Sequence, residues 1–148
     1  MTLDILKSLY NRDLQKLKAE IEYYQNEESL WKIDKNILNS GGNLCLHLLG
    51  NLNTYIGAEL GKSGYVRHRD LEFSMKDIPK TELLEKIESL IEIVDSTLAN
   101  LSEDHLKNDY PTEALGYQMT TEYFLIHLLS HLNYHLGQIN YHRRLLDI

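Results

Sequence analysis

From Thr120 to Leu146 the chain runs without a proline and with a single glycine, Gly137. A stretch of that length and composition has one regular solution, a helix of several turns. Leu125, Leu128, Leu129, Leu132, Leu136 and Ile139 recur at three- and four-residue steps and form an apolar arc roughly 100° wide. His127, His131 and His135 line the edge of that arc. A helix carrying this stripe is buried on one side, so the remaining chain must supply partners for it.

The same period recurs upstream. Leu3, Leu6, Tyr10, Leu14, Leu17, Ile21 and Tyr24 predict a first helix from about Thr2 to Tyr24. Gln25 to Ser40 reads as a connection holding the only tryptophan, Trp31, a packing anchor or else a residue at a site mouth. Ser40-Gly41-Gly42-Asn43 reads as a flexible lead-in to a second helix that runs to about Leu60 on Leu44, Leu48, Leu49, Leu52 and Ile56. Gly61 to Ile78 has little periodicity and is long for a bundle connection, so it is expected to cross the bundle or cap one end. A third helix starts near Pro79 and ends near Leu101, and Ser102 to Met119 is turn-rich. Thr120 is the expected N-cap of the last helix. No strand pattern, repeat or low-complexity segment interrupts this order. The expectation is an all-α fold, a four-helix bundle with a long crossover connection, forming a single domain over residues 1–148.

Bulk properties narrow the partners. A net charge of −7 with no compensating basic stretch argues against nucleic acid. No window approaches the roughly 18 apolar residues of a membrane span. The first residues lack the apolar core and cleavage site of a signal peptide. The single cysteine, Cys45, rules out an intramolecular disulfide and fits a reducing compartment. A cytoplasmic protein acting on a small molecule is the expectation.

His131 and His135 stand one turn apart, so their imidazoles can point at one ion. The same spacing also suits polar residues at a core boundary. A protein metal site usually needs a third ligand from elsewhere. His47, at the edge of the second apolar face, supplies it if the two helices are neighbours, and Asn51 and Tyr55 stack near it. His142 points the same way as His135 but lies about 10 Å further along the axis, too far for the same ion. Arg67 and Arg69 either hold an anionic substrate or pair with Asp70 and Glu72 to fix the loop. Tyr123, Ile126, Ser130, Tyr134, Gly137 and Tyr141 form an opposite face suited to a homodimer.

The run HLNYHLGQI resembles the HxxxHxGQ signature in the last helix of the DinB-like metal-dependent proteins, which include the YfiT-type hydrolases. The segment ESLWKIDKNILNSGGNLCLHLLGNLNTYIG and the RHRDLEF run after it resemble a branch of that superfamily. The resemblance implies a four-helix bundle, often dimeric, and a divalent metal held by His47, His131 and His135. His127 and Gln138 match no ligand of the family; His127 is placed to support the site from one turn below.

Three neutral imidazoles with an open fourth position describe a reactive rather than a structural centre, and zinc or nickel suits them. Leu132 follows His131, so the glutamate of the HExxH metalloproteases is missing. A low-molecular-weight thiol ionised by the metal needs no protein base, and by resemblance this points to S-transfer. Hydrolysis by metal-activated water is the alternative enzyme, with Asn51, Tyr55 and His127 as candidates to orient that water. A non-catalytic, metal-stabilised binding or stress module is the alternative outside enzymes.

Overall fold

Leu6, Tyr10, Leu14, Leu17 and Ile21 share one face of α1, Thr2–Tyr23, and all are buried. The computed structural model describes residues 1–148. It holds six α-helices and no strand beyond two isolated bridges. α2 spans Gly41–Leu52, α3 Arg69–Ser74, α4 Lys80–Ala99, α5 Glu103–Lys107 and α6 Thr121–Leu146. α1 packs along α4 and α6, while α2 packs against α6 and α4. Every residue of α2 is buried, which explains why its sequence is apolar almost all round. No helix is long and apolar enough to cross a membrane.

The long helices follow the sequence periodicity closely, and the connections depart from it. Ser40 caps α2 by accepting the Asn43 backbone N–H at 3.1 Å. Gly41 and Gly42 are not a flexible lead-in, however. They are the first buried residues of α2, where the Tyr24 hydroxyl and the Trp31 ring leave no room for a β-carbon. Trp31 is therefore a packing anchor, in a 3₁₀ turn over Glu27–Trp31. The α-helical pattern expected to reach Leu60 ends at Leu52 and widens into a π-helical segment, Asn53–Ala58. Such single π-turns cluster at functional sites.

Both connections contain short helices that periodicity did not reveal, because six or five residues are too few to show a period. α3 sits in the crossover and packs on α2. Asn43 ties it down: its Nδ2 donates to the carbonyls of Glu72, at 2.9 Å, and Met75, at 2.8 Å. α5 begins with a capping box in which the Ser102 hydroxyl accepts from the His105 N–H and the His105 ring accepts from the Ser102 N–H. Past α5, Tyr110 donates its hydroxyl to the Tyr55 carbonyl at 2.6 Å, fastening that connection to the π-helical segment. Thr120 caps α6 by accepting from the Tyr123 N–H at 3.1 Å.

Two buried polar links fix α6 against α1. Asp13 is fully buried and accepts from Asn133 Nδ2 at 2.7 Å and from its neighbour Arg12. His142 is also buried. Its Nε2–H donates to the Lys32 carbonyl at 2.9 Å, and its Nδ1 accepts the Tyr24 hydroxyl at 2.7 Å. It ties the end of α6 to the segment that follows α1.

Candidate metal centre

α2 and α6 are neighbours, and that single fact brings His47 to His131 and His135. His131 and His135 stand one turn apart on α6, at the edge of its buried stripe. His47 projects from α2 to meet them. Nε2 of His131 lies 3.2 Å from Nε2 of His47 and 3.1 Å from Nε2 of His135. The candidate ligand atoms of all three lie within 4.8 Å of one another. Two imidazole nitrogens on a tetrahedral zinc, with bonds of 2.0–2.1 Å, stand about 3.3 Å apart. The His131–His47 and His131–His135 pairs have that spacing.

The surrounding hydrogen bonds decide what the nitrogens present to each other. His47 donates Nδ1–H to Glu72 Oε1 at 3.0 Å, and His135 donates Nδ1–H to Gln138 Oε1 at 2.6 Å. Each bond puts the ring proton on Nδ1, so both Nε2 atoms carry lone pairs aimed at the same point. One proton from His131 can serve only one of them. A cation serves both, together with His131, and this is the physical case that the donor set fits a divalent ion. Carboxylate–histidine and amide–histidine pairs of this kind are the usual support of metal-binding imidazoles.

Burial keeps His47 and His131 neutral. It pushes His47 below the ordinary histidine value, against the pull of Glu72. Burial also lowers His131, with repulsion from His135 and His47 adding to it, down to about 4. Neutral imidazole is the form a metal needs.

Glu72 is the functional residue that the sequence did not single out as a support for His47. It is buried and bonded on its other side by Arg67, whose Nε and Nη2 meet Oε2 and Oε1 at 2.8 and 3.0 Å. Arg67 thus pairs with the loop carboxylate and is not free to hold a substrate anion. Arg69 makes no ion pair and stands exposed at the rim of the site. Asp70 also leaves Arg69 unpaired, so the loop-fixing role falls to Arg67 and Glu72 alone. Gln138 was visible in the HxxxHxGQ run, three residues after His135, the spacing at which helix side chains meet.

Asn51, Tyr55 and His127 support no ligand ring. They instead line a cavity of about 340 Å³ beside the cluster, together with His47, His131, Arg67, Arg69, Phe124 and Leu115. Tyr55 lies under the Arg67 guanidinium, 5.8 Å from ring centre to Cζ. His127 is exposed and stacks on Phe124 with the rings 5.9 Å apart.

A family model described as "Protein of unknown function (DUF1572)" matches residues 3–147. The fold is similar to that in the crystal structure of a conserved protein from Enterococcus faecalis, with a TM-score of 0.74 over 97% of this chain and 95% of that one. The two sequences are 15% identical, so the likeness speaks for the fold alone. Among curated proteins no sequence match is found.

Proposed function

The chain belongs to this family, whose description assigns no activity, and we propose that it is a DinB-like, metal-dependent enzyme that activates a small thiol for S-transfer. The observation that carries the reading is the pair of Nε2 lone pairs on His47 and His135, fixed by Glu72 and Gln138, converging beside Nε2 of His131. The four long helices, α1, α2, α4 and α6, with the crossover through α3, support the assignment to a DinB-like four-helix bundle. So does the HLNYHLGQI run.

Zinc or nickel suits three imidazoles, and a bound divalent ion lowers the pKa of a coordinated thiol enough to ionise it at neutral pH. The protein's own part is positioning. Glu72 and Gln138 hold two rings in register, and Arg67 holds Glu72. The cavity beside the cluster is lined by no aspartate or glutamate. Glu72 itself is engaged by Arg67 and His47, so no carboxylate is free to act as a general base. Chemistry that needs no such base fits this wall better than chemistry that does. The cytoplasm, where small thiols stay reduced, is the matching compartment.

One observation favours hydrolysis as a second reading: His127 is exposed on the same cavity and makes no hydrogen bond, so it is available as a base toward water. Cobalt substitution separates the two. Cysteine or glutathione added to cobalt-loaded protein should produce a sulfur-to-metal charge-transfer band that is lost in His135→Ala. If no thiol perturbs the spectrum while esters are cleaved in a metal-dependent way that His127→Ala abolishes, the hydrolytic reading replaces it. Metal binding with neither response points to a non-catalytic module.

A further inference from the structure

Two of the three converging rings are braced from behind and one is not. His47 donates Nδ1–H to Glu72 and His135 donates Nδ1–H to Gln138, whereas Nδ1 of His131 is buried with no hydrogen-bond partner. A second buried atom in the same wall also lacks a partner: Oδ1 of Asn51, a residue only 7% exposed. As the structure stands, the two atoms are not bonded to each other.

The packing of α2 on α6 puts these residues opposite one another. The helices run antiparallel, since Gly41 lies against His142, His47 against His131 and His135, and Tyr55 against Phe124 with ring centres 5.1 Å apart. Asn51 stands one turn beyond His47 and one turn before Tyr55, so it faces the stretch of α6 between His131 and Phe124. His127, Leu128 and His131 are the residues of that stretch in the wall it shares. His127 is exposed and Leu128 is apolar, which leaves Nδ1 of His131 as the buried polar atom opposite Asn51.

A neutral imidazole carries one proton. With that proton on Nε2, Nδ1 of His131 is an acceptor, and two acceptors cannot pair. Ligation through Nε2 needs the lone pair there, so the proton sits on Nδ1 and turns that atom into a donor. A buried donor requires an acceptor, and Asn51 offers one that water does not reach. We propose that Asn51 is the positioning residue of His131: with a divalent ion held by the three histidines, Asn51 Oδ1 accepts Nδ1–H of His131, completing the set that Glu72 and Gln138 begin. The inference rests on the metal reading of the site and adds to it the residue that selects the ligating tautomer of the third ring.

Zinc is the probe. Its affinity is read by competitive chelator titration, and the ring protons by proton–nitrogen NMR of the zinc-loaded protein, which distinguishes Nδ1–H from Nε2–H. In the wild type His131 should carry its proton on Nδ1, with the downfield shift of a hydrogen bond. Asn51→Leu, close in shape but without an acceptor, should weaken zinc about tenfold or more and remove that shift, while the His47 and His135 ring protons stay in place. Asn51→Asp, which keeps an acceptor, should hold zinc at least as well as the wild type. Thr54→Val, which removes a buried unpartnered hydroxyl one turn along from Asn51, should change neither readout. An unshifted Nδ1–H on His131 in the wild type overturns the proposal without any variant. So does wild-type affinity in Asn51→Leu, or a Thr54→Val variant that behaves like Asn51→Leu. In each of these cases the wild type still holds zinc, so the metal reading stands. A wild type that takes up no zinc ends that reading and this inference together.

Discussion

Gly50 lies directly against the carboxylate of Glu72, so that a β-carbon at position 50 would overlap the group that orients His47. Position 50 is thus glycine in the middle of a helix, where alanine is ordinarily worth about 0.5–1 kcal/mol more. The site supplies the reason. Gly50→Ala should displace the Glu72 side chain, which is flexible enough to move, and lower zinc affinity about tenfold or more. The metal-free protein should melt at a lower temperature, because moving Glu72 disturbs its buried pairing with Arg67. A competitive chelator titration and a circular dichroism melt check both halves; unchanged affinity would mean that Glu72 does not steady His47.

The three converging histidines and the remote one predict opposite phenotypes. His47→Ala, His131→Ala and His135→Ala should each release most of the bound metal in elemental analysis. His142→Ala should keep the metal and lose about 1–3 kcal/mol of stability, because the Tyr24 hydroxyl and Lys32 carbonyl lose their shared partner. Full metal in all three cluster variants would end the metal reading.

Acid should destabilise the metal-free protein across a defined window. Burial first, and then repulsion from its neighbours, lowers His131 to about 4, and burial also lowers His142. An unfolded histidine titrates near 6.5. Between pH 6.5 and about 4 the unfolded chain therefore takes up protons that the folded one refuses, and stability falls as pH falls. Melting temperatures measured from pH 7 down to 4.5 should drop, and His131→Gln should flatten the slope. An unchanged slope in that variant would show that His131 is not held neutral by the fold.

Tyr123, Ile126, Tyr134 and Tyr141 stand exposed along the outer face of α6, around Gly137, which has open space beside it. We propose that this face joins two copies of the chain, the commonest form of oligomer. Tyr134→Glu should then shift a dimer toward monomer by placing a charge in a desolvated contact. Light scattering on the wild type at high micromolar concentration decides it, since a monomer there removes the proposal.

The amino-acid sequence by itself determined the long helices and two of the three histidines in the cluster. His131 and His135 share an edge because a helix repeats every 3.6 residues, and the buried stripe beside them is written in the same period. The cap at Thr120 was legible for the same reason, since a cap and its target lie three residues apart. Tertiary structure alone decided the rest. Whether His47 meets the α6 pair depends on α2 lying against α6, and no local pattern encodes that adjacency. The Arg67–Glu72 pair was one of two open readings. That it also clamps His47 depends on where Asn43 pins the crossover, a contact 29 residues apart in the chain. Asn51, Tyr55 and His127 share edges with the histidines on their helices yet face a cavity, because the π-turn after Leu52 and the segment around Leu115 shape the space they enter. Helical period sets the direction in which a side chain leaves its own axis. What it meets there is settled by the neighbouring segments, whose positions depend on the packing of the whole core.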